Sequence, residues 1–416
     1  MERVNISIIE EWSASSKGRP RSLTTCVLAG MIIRIFRRRG HHHSAKRADL
    51  GPLNLPRQTL AALVSRNWRI SPARRPLVKH CVMFEPPKIV GVQLDGKLPV
   101  YMQDWFTEIA GRGEETKRAA VFEDGKPICS LAIVIIRNGL GMKQGYNLPW
   151  ARLCGLIISE GFSESQKAQI ARRLIRELPT DVSYFLTLAK KFDYDQFLSE
   201  GFQPAIEDNY VISPARYRML PESFSKMTKR HIRHAGRELV VSTTTTAEAF
   251  INFYEANLAR RHFTPYIPLT IARDILEEGL RRGQSSIFTA TRRDTGEIDA
   301  AIACLWDGDR YYYWMPTHRV PTKGETKPDQ GAVKLLLWSA IQDAAARGLT
   351  FDFDGVGSGL SNQDGKSRLY EGMGAESCVR YRVKRETTLE RLLGRTREPV
   401  KLLIRRTFGR FIALKF

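Results

Sequence analysis

The sequence has no hydrophobic run long enough to cross a membrane. Its best candidate, Leu23 to Phe36, has about 14 residues and contains Arg34, whereas a spanning helix needs about 20 apolar residues. A polar, acid-containing start precedes this run and three arginines follow it, which is the wrong flank for a cleaved secretion signal. We therefore expect a cytoplasmic protein, and peripheral contact with the inner face of the membrane stays open.

Paired cysteines are also missing from the sequence. No two cysteines form a CxxC pair, and no histidine cluster has the spacing of zinc ligands. The run His41-His42-His43 could bind a metal adventitiously, but a solvated tail explains it better. We predict no metal cofactor and reduced, mostly buried thiols at Cys26, Cys81, Cys129, Cys154, Cys304 and Cys378.

Acidic residues are scarce at both ends of a chain whose net charge is +21. Residues 1–82 hold 16 Lys or Arg against 4 Asp or Glu, and residues 380–416 hold 12 against 3, whereas residues 83–379 hold 37 of each. The basicity therefore belongs to the ends, and a basic end attracts a polyanion such as an anionic membrane or a nucleic acid.

The two basic ends differ in pattern. Residues 1–82 lack sustained periodicity and are rich in Arg, Pro and Ser, so we expect a disordered extension, or a folded protein that begins near Met83. Residues 386–416 mix apolar clusters with Lys and Arg, which is typical of a basic amphipathic helix. That helix would lie in a membrane interface or dock on the protein's own core.

The middle of the chain contains an internal repeat. Residues 119–138 and 285–308 each predict a hairpin, and residues 184–212 and 349–383 each predict a strand, a short helix and a final strand. An amphipathic helix precedes each second segment, at 164–178 and at 331–347. The order of elements thus occurs twice, which predicts tandem domains of one fold.

That order is similar to the acetyltransferase-like (GNAT) fold and belongs to the mixed α/β (α+β) class. We therefore predict tandem acetyltransferase-like domains with mixed sheets flanked by helices. Residues 83–215 would form an amino-terminal, degenerate GNAT-like domain. Residues 216–385 would form the carboxy-terminal, catalytic one.

The stretch DQGAVKLLLWSAIQDAAARGLTFDFDG, residues 329–355, predicts a loop, a helix and a strand that carries two acids. A helix start offers unpaired N–H groups and a partial positive charge, so it attracts phosphates. We predict phosphate contacts at Gln330, Gly331 and Ala332, with Lys334 as a neighbouring charge. An ordinary capped helix is the alternative.

This region resembles the GNAT-type acyltransferase domain of the CelD/BcsL class, whose members are relatives of the Fem-type peptidoglycan aminoacyltransferases. The resemblance covers about 220–380 and is weaker over 83–215. It departs from the Fem-type pattern where Tyr370 replaces a lysine, and Lys366 lies one helical turn away. It rests on Tyr312-Tyr313, Gly331, Leu335-Leu336, Gly348-Leu349 and Phe351-Asp352-Phe353-Asp354-Gly355.

The resemblance implies an acyl-CoA such as acetyl-CoA as co-substrate, or a charged tRNA in the Fem-type alternative. Acyl transfer needs a deprotonated nucleophile and a stabilised oxyanion. Candidate bases are Asp352, Asp354 and His318, and the two aspartates lie about 7 Å apart on one strand face. Tyr313 or Tyr370 would donate a proton to the leaving thiolate, while Arg260, Lys366 and Tyr370 are candidates for binding the acceptor.

Three functions follow from these observations. The leading one is N-acyl transfer from acyl-CoA to an amino sugar or similar acceptor in cell-envelope or exopolysaccharide synthesis. The second is an aminoacyltransferase that uses aminoacyl-tRNA, which the basic ends favour and Tyr370 disfavours. The third is a non-enzymatic protein that binds a polyanion or a membrane on an inactive transferase fold.

Overall fold

The computed structural model describes residues 98–112, 116–124, 126–139, 141–265, 267–355 and 363–391. These residues all belong to one compact unit, Pro76–Phe416. The basic extension before residue 83, the His41–His43 run and the carboxy-terminal segment from residue 392 lie outside the described residues. Within the described part, no helix is long and apolar enough to span a membrane.

Eight α-helices and twelve strands are described, together with 3₁₀ turns at Val100–Met102 and Pro214–Met219. The helices are α1 Asp104–Ala110, α2 Glu164–Glu177, α3 Lys191–Ser199, α4 Lys226–Glu238, α5 Ala247–Arg260, α6 Leu269–Arg281, α7 Ala332–Ala346 and α8 Gln363–Gly372. The strands are β1 Thr116–Glu123, β2 Lys126–Arg137, β3 Lys143–Tyr146, β4 Ile157–Ile158, β5 Val182–Leu188, β6 Gln203–Ile212, β7 Leu239–Ser242, β8 Ser285–Arg292, β9 Ile298–Trp306, β10 Arg310–His318, β11 Thr350–Asp352 and β12 Glu376–Arg385.

The strands form one mixed sheet in the order β1-β2-β3-β5-β12-β6-β11-β10-β9-β8-β7, with β4 beside β2. The pairs β3–β5 and β10–β11 are parallel, and the other strand pairs in the described part are antiparallel. The predicted class, a mixed sheet flanked by helices, is confirmed. The predicted repeat is present as well, since β1-β2-β3-α2-β5-α3-β6 and β8-β9-β10-α7-β11-α8-β12 have the same order.

The last strands of the two halves are exchanged. Strand β12 pairs with β5 and β6 of the first half, and β6 pairs with β11 of the second half. The two repeats therefore share one hydrogen-bonded sheet, although a domain boundary near residue 215 stays a prediction.

Local sequence explains the elements around the centre of the sheet. Strand β10 carries four consecutive aromatic residues, Tyr311 to Trp314, all buried, as expected for a strand covered on both faces. Helix α7 buries Leu336, Ala340 and Ala344 at helical spacing against one face of the sheet. Helices α1, α5 and α6 pack in a second cluster with Tyr312 and Trp314, on the opposite face.

Candidate active site

The parallel strands β10 and β11 separate soon after they meet. They pair at Arg310–Thr350, Tyr311–Phe351 and Tyr312–Asp352, after which β10 continues to His318. Past Asp352, the chain after β11 no longer pairs with β10 but stays beside β6, since Phe353 N donates to Tyr210 O of β6 at 3.0 Å, and Asp354 then has a positive φ of 64°. The resulting gap between residues 313–318 and residues 353–355 is called the fork here.

A side chain from the first half of the chain lies in the fork. Arg152 Nη2 donates to Trp314 O of β10 at 3.4 Å, and Arg152 Nε lies 2.6 Å from Asp354 Oδ2. Its segment is fixed by a hydrogen bond from Trp314 Nε1 to Trp150 O at 2.9 Å. The Arg152 side chain is 47% exposed whereas that of Asp354 is 3% exposed, so Arg152 connects a buried carboxylate to solvent.

A network of charged side chains surrounds the two aspartates. Arg380 of β12 donates through Nη2 to Asp352 Oδ1 at 3.0 Å and through Nη1 to Asp354 Oδ1 at 3.1 Å. Asp352 Oδ2 accepts from Arg310 Nη1 at 2.9 Å, and Asp352 Oδ1 also accepts from Asn209 Nδ2 at 3.0 Å. The sequence placed both carboxylates on one face, and the structure joins them through one guanidinium.

Burial makes Asp354 unusual among these groups. Its desolvation raises the pKa of the carboxyl from 3.8 to about 6, although Arg152 and Arg380 oppose the shift. Burial alone would lower the pKa of Arg380, but Asp352 and Asp354 outweigh it and raise that pKa. Asp354 is thus a carboxyl that changes charge near neutral pH while its arginine partners stay charged.

Two tyrosines lie within electrostatic range of Asp354. Burial, and then the charge of Asp354, raises the pKa of Tyr101 well above its ordinary value. The Tyr101 hydroxyl is buried and has no hydrogen-bond partner among the described residues. The pKa of Tyr370 is raised for the same two reasons, and its ring packs on Phe353 at 4.5 Å between centroids. Tyr101 therefore brings an unused hydroxyl to the site.

The predicted phosphate-binding turn is already contacted by the protein itself. Asp329 Oδ1 accepts from the Gly331 N–H at 2.6 Å, and a Cβ at Gly331 would lie 2.4 Å from His231 O of α4. Lys334 Nζ lies 2.6 Å from His231 Nδ1. Ala332 is buried and Gln330 is exposed. A phosphate at Gly331 would have to displace a carboxylate, so the turn as it stands does not fit a pyrophosphate.

The other predicted residues lie away from the aspartates. Arg261 Nη2 contacts His318 Nε2 at 3.1 Å, and the pKa of His318 is lowered by burial and then by Arg261. Arg260 Nη1 donates to Val320 O at 2.7 Å, which holds the loop after β10. Lys366 is exposed on α8. These contacts place His318 and Arg260 at the far end of β10, several residues along the strand from the position paired with Asp352.

Tyr313 also lies away from the two aspartates. It is buried in the core cluster under α7, on the sheet face opposite Tyr312, and its pKa is raised by burial. It packs edge-on against Phe353, with 6.4 Å between ring centroids. Its contacts are therefore those of a core residue.

Three residues at the site, Arg152, Arg380 and Tyr101, are not among those that the sequence predicts. Arg152 follows Pro149 and Trp150 in a stretch without helical or strand periodicity, so nothing in the pattern marks it. The sequence could have indicated Arg380, because a cation in the last strand of a repeat can face two acids in the preceding strand. Burial is the property that distinguishes Arg380, at 6% exposure, from Arg382, whose side chain is 30% exposed.

Part of the chain matches a known protein family. Residues 222–363 match the family described as acetyltransferase (GNAT) domain. The chain is therefore an enzyme, a transferase that moves an acyl group. More narrowly, the matched region is an acyltransferase domain of the GNAT type, and it contains the fork with Asp352 and Asp354, while Arg152 and Arg380 lie outside it.

Several solved structures are similar to the chain. The crystal structure of FemX is 12% identical, with 68% of this chain and 91% of that chain covered at a TM-score of 0.48. The carboxy-terminal domain of a putative lysylphosphatidylglycerol synthetase from Agrobacterium fabrum is 10% identical, with 71% and 91% covered at 0.46. L-PGS from Bacillus licheniformis is 10% identical, with 67% and 86% covered at 0.45. A comparison with curated proteins gives no match.

Proposed function

We propose that the chain transfers an acyl group to an amine or hydroxyl acceptor at the fork, with Asp354 as general base. One observation carries the proposal: a buried carboxyl whose pKa is raised to about 6 lies against an arginine that is 47% exposed. A general base works best when its pKa lies near the operating pH. Asp354 meets this requirement, and one of its two cationic partners, Arg152, is accessible to solvent, whereas Asp352 is held by Arg310, Arg380 and Asn209.

The reaction at the fork has a simple balance. The acceptor nitrogen or oxygen bonds to the acyl carbonyl carbon and gives its proton to Asp354. The bond from that carbon to the donor's leaving group then breaks, and the leaving group takes up the proton that Asp354 received, so that Asp354 regains its charge. Arg152, whose side chain is 47% exposed, would stabilise the oxyanion of the tetrahedral intermediate through its guanidinium group. Tyr101 is a second donor, since its hydroxyl has no other partner in the described part.

The donor is proposed to be an acyl-CoA, as the resemblance to GNAT-type enzymes of the CelD/BcsL class implies. An acyl-CoA would supply an activated thioester. Because Asp329 occupies the Gly331 amide, we assign the donor's phosphates to no residue of the turn at 330–332. The acceptor is proposed to be an amino sugar or similar amine in cell-envelope or exopolysaccharide synthesis.

Transfer from aminoacyl-tRNA is the second candidate. The basic ends of the chain support it, since they would attract a nucleic acid. The packed side chain of Tyr370, 4% exposed, argues against it, because the Fem-type pattern has a lysine there.

A donor screen tests the proposal. Purified protein would be offered acyl-CoA thioesters and aminoacyl-tRNA, each with an amine and amino-sugar library, and acylated products would be measured by mass spectrometry. We expect product from a thioester and an amine. Product from aminoacyl-tRNA alone would replace the first candidate by the second, and no product with either donor would contradict both.

The role of Asp354 is tested by Asp354→Asn. We expect kcat to fall by about 10²–10⁴-fold, the usual contribution of a general base, while Asp208→Asn on the exposed part of β6 leaves it unchanged. In the unmodified enzyme, kcat/KM should fall about tenfold per pH unit below about pH 6, because protonated Asp354 cannot accept a proton. A full-rate Asp354→Asn enzyme would exclude the assignment.

A further inference from the structure

Helix α4 carries a row of cations on one side. Lys226, Arg230, Arg233 and Arg237 follow one another at spacings of four, three and four residues, which places them on one helical face. At 1.5 Å per residue the row is about 16 Å long. All four side chains are exposed, and the opposite side of the helix buries Thr228 and Ala235.

Nothing in the described part of the chain neutralises this row. The ion pairs of the described residues include none to these four side chains. The helix holds one acid, Glu238, at its last position. The orientation of the row is fixed, because α4 packs against α7 and its first turn is capped by Ser225, whose Oγ accepts from Thr228 N at 3.1 Å. The cations therefore face solvent as a group.

Exposed apolar side chains flank the row. Met227 in the first turn of α4 is 57% exposed, Met219 before the helix is 44% exposed, and Val240 after it is 43% exposed. Cations together with exposed apolar side chains are the combination found on surfaces that lie in a membrane interface. Nucleic acid is matched less well, because stacking needs exposed aromatic rings. Phe224, just before the helix, is buried in the core, and Tyr217 packs partly buried against the same cluster.

We propose that the row on α4, with its apolar flanks, is a docking surface for a membrane that contains anionic lipid. A straight row of cations on one helix fits a flat, negatively charged surface, and each Lys or Arg close to such a surface strengthens binding by about fivefold. The side chains of Met227, Met219 and Val240 would enter the interfacial region of the membrane. This inference does not depend on the proposed chemistry, since binding is measured without turnover.

The test is sedimentation of the full chain with vesicles of phosphatidylcholine and phosphatidylglycerol. The variant replaces Lys226, Arg230, Arg233 and Arg237 by Gln, which is nearly as good a helix former. We expect its partition coefficient to fall at least about tenfold, with unchanged circular dichroism and unchanged binding to vesicles of phosphatidylcholine alone. Met227→Ser should weaken binding by a smaller factor in the same assay.

A matched control variant removes the same number of charges elsewhere. It carries Gln at four exposed cations of other elements and loops, Lys126, Arg137, Arg173 and Arg293. It retains the basic ends of the chain, as does the α4 variant, and we expect it to bind vesicles as the unmodified protein does. An equal loss in both variants would overturn the proposal. So would an α4 variant that keeps its vesicle binding and loses affinity for a structured RNA of transfer-RNA size.

Discussion

The two halves of the sheet have the same order of elements and differ at their parallel strand pair. In the first half β3 pairs with β5 from Lys143–Val182 to Tyr146–Phe185. The chain then stays beside β5, because Asn147 exchanges two hydrogen bonds with Thr187. In the second half β10 and β11 pair over three residues and then open into the fork. Beyond its parallel strand pair, the first half therefore keeps its hydrogen bonds across the sheet, whereas the second half has the fork.

Each half also has a buried aspartate near its parallel strand pair, and the two aspartates differ in their ion pairs. Asp193 in the first half is 1% exposed and has no ion pair within the described residues, and its Oδ2 accepts from Leu156 N at 3.2 Å. Asp354 in the second half lies between two arginines. One of these, Arg152, comes from the first half itself. The comparison indicates that the first half supplies a part of the site, beyond its role as a scaffold.

Removal of Arg380 is the largest change that this comparison predicts. Arg380→Met leaves Asp352 and Asp354 buried side by side without their shared cation, and breaking a buried pair in this way costs about 3–5 kcal/mol. We expect a loss of that size in the free energy of unfolding, measured with urea at pH 7. Arg382→Met is the control, because that side chain is 30% exposed and lies 3.6 Å from Glu207, so it should cost no more than about 1 kcal/mol.

The next prediction concerns the contribution of Arg152 to the fork. Arg152→Gln removes the charge that holds the pKa of Asp354 down, so that pKa rises further. We expect kcat to fall by about 10–100-fold. The acidic limb of the pH profile should also move to higher pH, and a merely structural role would not produce that movement.

Arg173→Gln, an exposed change in the same half, is the matched control and should alter neither kcat nor the pH profile. If Arg152→Gln kept the wild-type pH profile, Arg152 would not act on Asp354, and its contacts in the fork would be structural only.

The order of elements was predictable because it is local. Hairpin signals, helical periodicity and the glycine stop at Gly348 predict most of the repeat, and helix 331–347 is observed at Ala332–Ala346. The exchange of β6 and β12 was not predictable, because it leaves the order of elements along the chain unchanged. In the exchanged sheet, Arg380 of β12 contacts both Asp352 and Asp354.

The site was predictable only where the chemistry lies in one segment. Asp352 and Asp354 are close in sequence, and strand geometry places them on one face. Arg152 is about 200 residues away from them and enters the fork through tertiary contacts, which no local pattern encodes. The turn at Gly331 is the opposite case. Its local sequence predicts a phosphate site, but the Gly331 N–H donates a hydrogen bond to Asp329, two residues earlier.

The smallest predicted effect concerns Asp193 in the first half, a carboxyl that is buried without an arginine partner among the described residues. It tests what burial alone does to the pH dependence of the stability. Burial raises the pKa of Asp193 from 3.8 to about 7, although the hydrogen bond from Leu156 N and then the charge of Lys190 oppose the shift. The folded state therefore holds a proton that the unfolded state releases above about pH 4, so stability falls as the pH rises from about 4 to 7.

Asp193→Asn removes this fall, but its amide N–H groups must then be buried. We expect the variant to gain about 1 kcal/mol over the parent at pH 8 and to show no gain at pH 5, by urea unfolding at both values. Asp195→Asn, on the exposed side of the same helix, serves as control. A pH-independent difference between Asp193→Asn and the parent would mean that Asp193 is charged in the folded state throughout this range, and the contrast with Asp354 would then rest on its arginine partners alone.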